Sequence, residues 1–357
     1  MSSPTQTFHA TCHCRAGFLS FTIPTSHLPI PAHFCHCSMC RYINGTLMSI
    51  HAKISPPQFD KSAFTTYNFG KTCVKFFCTT CGAHMLDRVT QSKSKNSEVG
   101  DDNEGVAGHG EEEEEWFIAV SLVEAEEDTW DFREHIFVQS THDGGLATAL
   151  TDIDGKHVKL WKERPVPDQD RFPRGDWTPK QDEARKKIHW EKLQAKCLCG
   201  GIEFFISRPN SMTFASTPPS LVPTDKSKYH GSHDACTSCR LIFSNAIVSW
   251  VFPPISALSL PDGSAYPSNG LFGTAKVYKS SKDVERTFCG TCGASATYTC
   301  ADRRGMVDVA AGLLRGEDGD VRVEEWVEWE TGKMSYDEDA VWPGVIAAFR
   351  EGLKGSG

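Results

Sequence analysis

The sequence predicts a mostly β protein built from two tandem, zinc-dependent domains of one type. Two observations support this fold class. Three cysteine motifs occur twice along the chain in the same order, and short alternating or aromatic-rich segments recur while helical periodicity is scarce. The 357 residues are enough for two domains that each bury a core.

The bulk composition narrows the class of partner. The N-terminus lacks the basic start and apolar core of a secretion signal, and no segment approaches the roughly 18 apolar residues of a membrane span. A cytoplasmic protein is therefore expected, with its fifteen cysteines reduced. A net charge of −9 without a Lys/Arg cluster argues against nucleic acid and anionic membranes. A small molecule or a protein is the expected partner.

The cysteine motifs define the duplication. Each copy begins with a Cys-x-Cys pair, continues with a cluster that ends in arginine, and closes with Phe-Cys-x-x-Cys-Gly. The motifs lie at 12–14, 35–41 and 77–82 in the first copy and at 197–199, 234–240 and 288–293 in the second.

Alternating or apolar segments predict strands in both copies. Residues 18–23 and 201–206 follow the first cysteine pair of each copy. Buried strands are predicted at 116–120 and 306–310, and a further strand is predicted over 321–329.

The duplication also sets the predicted domains. The first covers residues 8–160, the second covers 193–357, and the Pro- and charge-rich residues 161–192 link them, with a short polar helix over 180–194. Residues 90–115 are rich in Ser, Lys, Asp and Gly and end in a glutamate run, which predicts a disordered acidic insertion. We interpret the glutamates as solvated, with a calcium or partner-protein site as the alternative.

The outer motifs of each copy together offer four thiolates, the ligand number of a structural zinc site. Gly82 and Gly293 close these motifs, where the chain is expected to take a positive φ. The alternative is disulfides or free buried thiols, which a reducing compartment disfavours. The predicted structural ligands are Cys12, Cys14, Cys78 and Cys81 in the first copy and Cys197, Cys199, Cys289 and Cys292 in the second.

The middle motif of the first copy offers three thiolates, Cys35, Cys37 and Cys40. A zinc ion with three protein ligands keeps one position for water or substrate, so this triad is the candidate catalytic site. Zinc there would favour the thiolate form of an incoming thiol and hold it near a carbonyl. The alternative is a structural metal whose fourth ligand is His36, Cys73 or a more distant residue.

The middle motif of the second copy is degenerate, because Asp234 replaces the first cysteine and leaves Cys236 and Cys239. Aspartate can bind zinc through oxygen, with help from His233 or His230. A weakened or empty site is the competing interpretation.

An arginine follows each middle motif directly, Arg41 in the first copy and Arg240 in the second. Each could offset thiolate charge or hold a substrate carboxylate through paired N–H donors, with an ordinary ion pair as the alternative. Arg41 is therefore a candidate catalytic residue together with the triad. The expected zinc content is about three ions per chain, and about four if the degenerate cluster is occupied.

This pattern resembles the glutathione-dependent formaldehyde-activating enzyme family, which also includes centromere protein V. The family motifs are C-x-C-G, C-H-C-x-x-C-R-x-x-x-G and F-C-x-x-C-G, and each half of the chain carries a version of all three. The resemblance implies β-tent domains of antiparallel sheets, each with a four-cysteine structural zinc, and a three-cysteine zinc that receives glutathione. The chain departs from the motifs at Arg15, Asp234 and Ser244, whereas Gly45 keeps the glycine that Ser244 replaces.

The functional prediction is a zinc-dependent enzyme of the carbon–sulfur lyase type. It would join a thiol such as glutathione to formaldehyde or another small aldehyde, or catalyse the reverse reaction, mainly by holding both reactants together. The alternative is a non-catalytic zinc scaffold that binds a protein partner. An open triad would favour the enzyme, and a closed triad would favour the scaffold.

Overall fold

A computed structural model of the protein describes residues 4–92, 112–165, 190–316 and 319–355. Within these residues the chain forms 24 β-strands and three α-helices, so the mostly β prediction is confirmed. The helices are α1 Ser38–Asn44, α2 Thr237–Phe243 and α3 Pro343–Lys354. No helix in the described ranges is long and apolar enough to cross a bilayer.

The strands divide between the two halves of the chain. The first half contains β1 Thr5–Thr11, β2 Phe18–Pro24, β3 Ile30–Cys35, β4 Ser49–Ile54, β5 Gln58–Phe59, β6 Phe64–Phe69, β7 Cys73–Cys78, β8 His84–Ser92, β9 Glu112–Ala119, β10 Trp130–Ile136, β11 Asp152–Ile153, β12 Lys156–His157 and β13 Lys159–Leu160. The second half contains β14 Lys192–Lys196, β15 Glu203–Ser207, β16 Tyr229–Asp234, β17 Val248–Val251, β18 Leu258–Ser259, β19 Ala275–Ser281, β20 Val284–Cys289, β21 Ser295–Cys300, β22 Asp308–Ala310, β23 Leu314–Arg315 and β24 Val327–Trp329.

The two halves repeat one strand order. The main sheet of the first half runs β13-β10-β3-β4-β9-β8-β7-β6, and that of the second half runs β24-β16-β17-β22-β21-β20-β19. From β10 and β24 onward these orders correspond strand for strand. A smaller sheet accompanies each, β1-β2-β5 in the first half and β18-β15-β14-β23 in the second. The repeated cysteine motifs therefore coincide with a repeated sheet topology.

The sheets are antiparallel except at one end of each main sheet. There β10 lies parallel to β3 and β13, and β24 lies parallel to β16. These strands rejoin the sheet after long excursions of the chain, whereas the antiparallel neighbours can be joined by short turns.

Alternating burial explains how the small sheets cover the core. Along β2, Leu19, Phe21 and Ile23 are buried while Phe18 and Thr22 are exposed, as expected for side chains that alternate between the two faces of a strand. The buried side chains of both halves form one continuous apolar cluster. The core therefore does not stop at the boundary between the halves.

The two ends of the predicted acidic insertion form paired strands, so the prediction of disorder is wrong there. Thr90 pairs with Glu114 and Ser92 pairs with Glu112, so both ends of the predicted segment belong to β8 and β9. Residues 93–111 lie outside the described part of the chain. Glutamates join the strand because basic side chains on its neighbours offset their charge, with Arg88 3.1 Å from Glu114.

The predicted linker falls mostly on residues 166–189, which lie outside the described ranges. The predicted helix over 180–194 is wrong at its C-terminal end, because β14 begins at Lys192. Leu193 and Ala195 are buried there while their neighbours are not, which is a strand pattern. The strand predicted over 321–329 is likewise limited to β24.

The two halves pack against each other reciprocally. A Cβ atom on Gly82 would lie 2.6 Å from Cγ of Phe288, and one on Gly293 would lie 2.6 Å from Cγ of Phe77. Both glycines also have positive φ, +82° and +78°. His84 Nε2 of the first half lies 2.8 Å from the carbonyl oxygen of Cys292, so that nitrogen carries the proton and donates. The glycines are needed for a turn and for this close contact.

Candidate metal centres

The outer motifs of the first half meet as four thiols. Cys12 directly follows β1, and Cys78 ends β7. The Sγ atom of Cys14 lies 3.5 Å from that of Cys12 and 3.4 Å from that of Cys78. Cys81 completes a group whose donor atoms all lie within 4.8 Å of one another. Sulfurs 2.3 Å from a tetrahedral zinc would lie about 3.8 Å apart. The donor set therefore fits one zinc ion.

The outer motifs of the second half meet in the same way. The Sγ atoms lie 3.6 Å apart from Cys197 to Cys199 and 3.5 Å apart from Cys199 to Cys289, and Cys292 completes the group. All fifteen cysteines are free thiols, so the disulfide alternative finds no support. Backbone N–H groups also point at the sulfurs, including that of Ile202 at 3.2 Å from Cys197.

The packed thiols favour negative charge at one sulfur of each group. Hydrogen bonds from Cys12 and Cys14 hold the pKa of the Cys78 thiol far below its usual range, while the same kind of contact raises the pKa of Cys81. In the second group, the contacts with Cys197 and Cys199 lower the pKa of Cys289 and raise that of Cys292 in the same way.

The first-half triad lies where β3 meets α1. Cys35 ends the strand, Cys37 is the N-cap of the helix and Cys40 is in its first turn. The Cys37 Sγ accepts a hydrogen bond from the Cys40 N–H at 3.3 Å and lies 3.5 Å from the Cys35 Sγ. Because an N-cap side chain folds back on the first turn, the Cys-x-Cys-x-x-Cys spacing brings the three sulfurs together.

This triad is mostly buried. Cys35 and Cys40 are 5% exposed, and Cys37 is half-buried. Ile136 clusters with Cys35 and Cys40, and Phe137 and Trp161 pack against this cluster. The triad therefore lies in largely apolar surroundings.

Neither proposed fourth ligand joins the triad in the described residues, where the group has three members. His36 points elsewhere, with its Nε2 2.8 Å from Nδ1 of His135. His135 Nε2 lies 2.7 Å from the Leu150 carbonyl oxygen and donates to it, which leaves Nδ1 to accept from His36. Burial lowers the pKa of His135 to about 4 and holds the pKa of His36 well below its usual value, so both rings are neutral at pH 7.

Arg41 lies beneath the triad with only 2% of its surface exposed. Its Nε donates to the His36 carbonyl oxygen at 3.2 Å, and Nη2 donates to the Ser140 carbonyl oxygen at 3.3 Å. These bonds tie α1 to the residue that follows β3 and to the segment that follows β10. Arg240 similarly donates to the Ser121 carbonyl oxygen across the boundary between the halves.

A buried polar network beside the triad was missed by the sequence analysis. Lys75 is 1% exposed and its Nζ lies 2.5 Å from Oδ2 of Asp87, which lies 3.8 Å from Nε2 of His51. Burial lowers the pKa of Lys75, but attraction to Asp87 and Cys40 outweighs burial and raises it overall. A lysine within the otherwise apolar end of β7 is the signal that could have indicated this network.

The degenerate cluster of the second half has the same frame. Asp234 ends β16 and Cys236 is the N-cap of α2. The donor atoms of Asp234, Cys236 and Cys239 lie within 4.8 Å of one another. The Asp234 Oδ1 accepts from the Cys236 N–H at 2.8 Å, and burial raises the pKa of this carboxyl group. The aspartate thus occupies the place of the missing thiol.

The two histidines considered as additional ligands do not belong to this group of donors in the described chain. His233 Nδ1 lies 2.9 Å from Ser249 Oγ, and its ring stacks on Trp329 with the centroids 4.9 Å apart. The ring of His230 stacks on Phe252.

Comparison with known proteins supports the resemblance for part of the chain. Residues 7–101 match the family model described as glutathione-dependent formaldehyde-activating enzyme. No curated protein matches the chain. A crystal structure of a Rhodobacter sphaeroides protein matches at 17% sequence identity, covering 38% of this chain and 99% of that one, with a TM-score of 0.24. The matched residues include the complete first set of cysteine motifs, and residues 7–101 are therefore similar to the glutathione-dependent formaldehyde-activating enzyme family.

Proposed function

We propose that this protein is a zinc-dependent enzyme of the carbon–sulfur lyase type. It would join a thiol such as glutathione to formaldehyde or another small aldehyde, and catalyse the reverse cleavage. The observation that supports this proposal most directly is the convergence of three sulfurs, from Cys35, Cys37 and Cys40, without a fourth protein donor in the described residues. This triad lies inside the segment that matches the family model.

The chemistry requires a nucleophilic sulfur near a carbonyl carbon. Zinc held by the three cysteines would favour the thiolate form of an incoming thiol. A carbon–sulfur bond then forms, the π electrons of the carbonyl move to its oxygen, and that oxygen takes the proton that the thiol gave up. Buried Lys75 places positive charge near Cys40, which offsets the negative charge of the sulfurs. Arg41 acts as a positioning residue that fixes α1.

The organisation of the chain belongs to the same proposal. Residues 8–160 would form the first domain, residues 161–192 the linker, and residues 193–357 a second domain of the same type. The repeated strand order supports this division. The free thiols support a reducing, cytoplasmic location, and the partners would be a small thiol and an aldehyde.

The non-catalytic scaffold remains a second candidate because the triad is mostly buried. Cys35 and Cys40 are 5% exposed, and Ile136 clusters with them. A scaffold would bind zinc at the triad without admitting a thiol.

Zinc quantification and aldehyde exchange distinguish the two candidates. We expect wild-type protein to hold at least about three zinc ions and to accelerate formation of the glutathione–formaldehyde adduct, measured by NMR exchange spectroscopy. Cys37→Ala should lose one zinc, remain folded and lose at least about tenfold in rate, because it removes one ligand of an open site but none of a structural one.

Cys73→Ala is the matched control, since this thiol lies outside all four donor groups. It should keep both the zinc content and the exchange rate. Wild-type zinc content in Cys37→Ala would refute the site assignment. If Cys37→Ala loses one zinc but the wild-type protein does not accelerate exchange, the triad binds zinc without catalysis and the scaffold is established.

A further inference from the structure

A cavity of about 540 Å³ opens over the middle cluster of the second half. Its wall includes three aromatic side chains, Trp250, Phe252 and Tyr298, and its floor includes Arg286 beside the cluster. The volume falls in the range of small-molecule sites, which combine apolar walls with a few convergent polar groups. The degenerate half therefore has a cavity of ligand size beside its middle cluster.

The floor of this cavity differs from the first half by one charge. Lys75 and Asp87 are directly opposite each other in β7 and β8, and they form a buried ion pair. In the matching strands β20 and β21, the opposite residues are Arg286 and Tyr298. The cation is kept, but its carboxylate partner is replaced by a phenol.

Arg286 is 5% exposed and has no carboxylate partner among the described residues. Its Nε donates to Ser280 Oγ at 3.1 Å, and Nη1 and Nη2 donate to the Cys239 Sγ at 3.7 and 3.5 Å. The guanidinium group also lies 4.7 Å from the centroid of the Tyr298 ring. It has five N–H donors, so these contacts leave two of them for another group.

The nearest other charges do not replace the missing carboxylate. Asp308 forms an ion pair with Arg303, which donates to both carboxylate oxygens at 2.7 Å. Asp234 directs Oδ1 to the Cys236 N–H. The Cys239 sulfur is thus the acceptor that the guanidinium group contacts in place of a carboxylate, and Arg286 lines a cavity where an anion could accept its remaining N–H groups.

We propose that this cavity binds a small organic monocarboxylate with an aromatic or other flat apolar body. The carboxylate accepts two N–H bonds from Arg286 and supplies the negative charge that Asp87 supplies to Lys75 in the first half. The body of the ligand packs against Trp250, Phe252 and Tyr298. Asp234 on the cavity floor would repel a second carboxylate, so a monoacid fits better than a diacid. This binding does not depend on the aldehyde chemistry proposed for the first half.

Isothermal titration of the zinc-loaded full chain with phenylacetate and with phenylacetamide tests the proposal. The two probes share a body and differ in charge. We expect phenylacetate to bind at least about tenfold more tightly, because only the carboxylate forms a charge-assisted pair with the guanidinium group. Arg286→Gln should remove this preference, and Arg286→Lys should keep the larger part of it because it keeps the charge.

Tyr298→Asp provides an independent arm that leaves Arg286 in place. It restores the ion pair of the first half and should also abolish the preference for the acid. Lys279→Gln is the control for net charge, because Lys279 is an exposed residue that does not line the cavity. It should bind phenylacetate as the wild type does.

Three results would overturn the proposal. The amide could bind as well as the acid, or Lys279→Gln could weaken binding as much as Arg286→Gln. Alternatively, Cys236→Ser could abolish binding while Arg286→Gln preserves it, which would make a metal ion at the cluster the receptor for the carboxylate. If Arg286→Gln does not fold, undiminished preference for the acid in Tyr298→Asp refutes the proposal by itself.

Discussion

His84 places a neutral imidazole between the two halves of the chain. Its Nε2–H donates to the Cys292 carbonyl oxygen, and the ring is 6% exposed. Burial is the main reason that its pKa falls to about 4 from 6.5, and the nearby charge of Lys75 adds to the shift. The interface is therefore built around the unprotonated ring.

We predict that this histidine makes the fold sensitive to mild acid. Its folded pKa is depressed, so the unfolded chain binds the proton first, and stability is complete above pH 6.5 and falls as the pH drops toward 4. His84→Gln keeps a donor at the same place without a titrating group. Between pH 7 and pH 5 the wild type should lose about 2 kcal/mol more unfolding free energy than the variant, as measured by urea denaturation.

The matched control is His27→Gln, which replaces an exposed histidine and should follow the wild-type pH dependence. Equal pH dependence of His84→Gln and the wild type would show that the buried ring does not titrate as described.

Residue-level prediction succeeded where chemistry and spacing coincide. The donor atoms of each of the four predicted groups lie close together in the fold. The groups could be proposed from sequence because side chains that bind one metal often recur at short fixed spacings. Lys75 and Arg286 were missed because their importance depends on the residue opposite them in the next strand. That pairing is set by sheet register, which a single sequence does not reveal.

Helices α1 and α2 end differently although they occupy equivalent places. The C-cap residue of α1 is Gly45 with φ +78°, and that of α2 is Ser244 with φ +55°. Both residues are in the left-handed region, which costs about 1 kcal/mol or more for a residue with a side chain. Ser244 is also 4% exposed, and its Oγ has no hydrogen-bond partner among the described atoms.

We predict that Ser244→Gly stabilises the protein by about 1 kcal/mol. It relieves the left-handed strain and removes a buried hydroxyl group without a partner. The reciprocal change, Gly45→Ser, should destabilise the protein by more than this gain, since a Cβ there would lie 2.2 Å from the Ser295 carbonyl oxygen. Urea midpoints with unchanged m-values would measure both effects. A destabilised Ser244→Gly variant would contradict the strain argument.

Hydrophobic periodicity in the sequence predicted some of the strands and helices but not others. The alternation of β2 was recognised, whereas α3 was not, although its buried Val345, Ile346, Phe349 and Leu353 recur at helical spacing after a proline at the helix start. The strand predicted over 321–329 is interrupted because Val323 adopts a positive φ of 45°. A β-branched residue rarely takes this conformation, so the sequence offers no warning of it.

At the scale of the whole molecule, the halves behave as one packing unit. Phe77 fills the space beside Gly293, Phe288 fills the space beside Gly82, and the apolar core is continuous. The duplication is visible in the sequence, but this reciprocal contact is not, because it depends on the relative placement of surfaces that are far apart in the chain. The turns that make the contact also carry the structural thiols Cys81 and Cys292.

Loss of one structural ligand should therefore unfold both halves. Cys78→Ala removes one of four sulfurs from the first outer group, and structural zinc contributes about 10–16 kcal/mol in small zinc domains, comparable to the whole stability of a domain. If the halves were independent, only the first would unfold. Because the Cys81 turn supports Phe288 and Cys292 of the second half, we expect hydrogen exchange of β20 and β21 to accelerate together with that of β7 and β8.

Cys73→Ala, at a half-buried thiol of the same strand β7 outside the donor groups, is the control and should leave exchange in both halves near the wild-type rate. Wild-type protection of β20 and β21 in a Cys78→Ala protein whose first half exchanges freely would mean that the reciprocal contact is weak. Each half buries a phenylalanine ring of the other half against its glycine turn. When one half unfolds, the apolar surface that it covered on the other half becomes exposed to water. Cooperative loss is the outcome that this geometry requires.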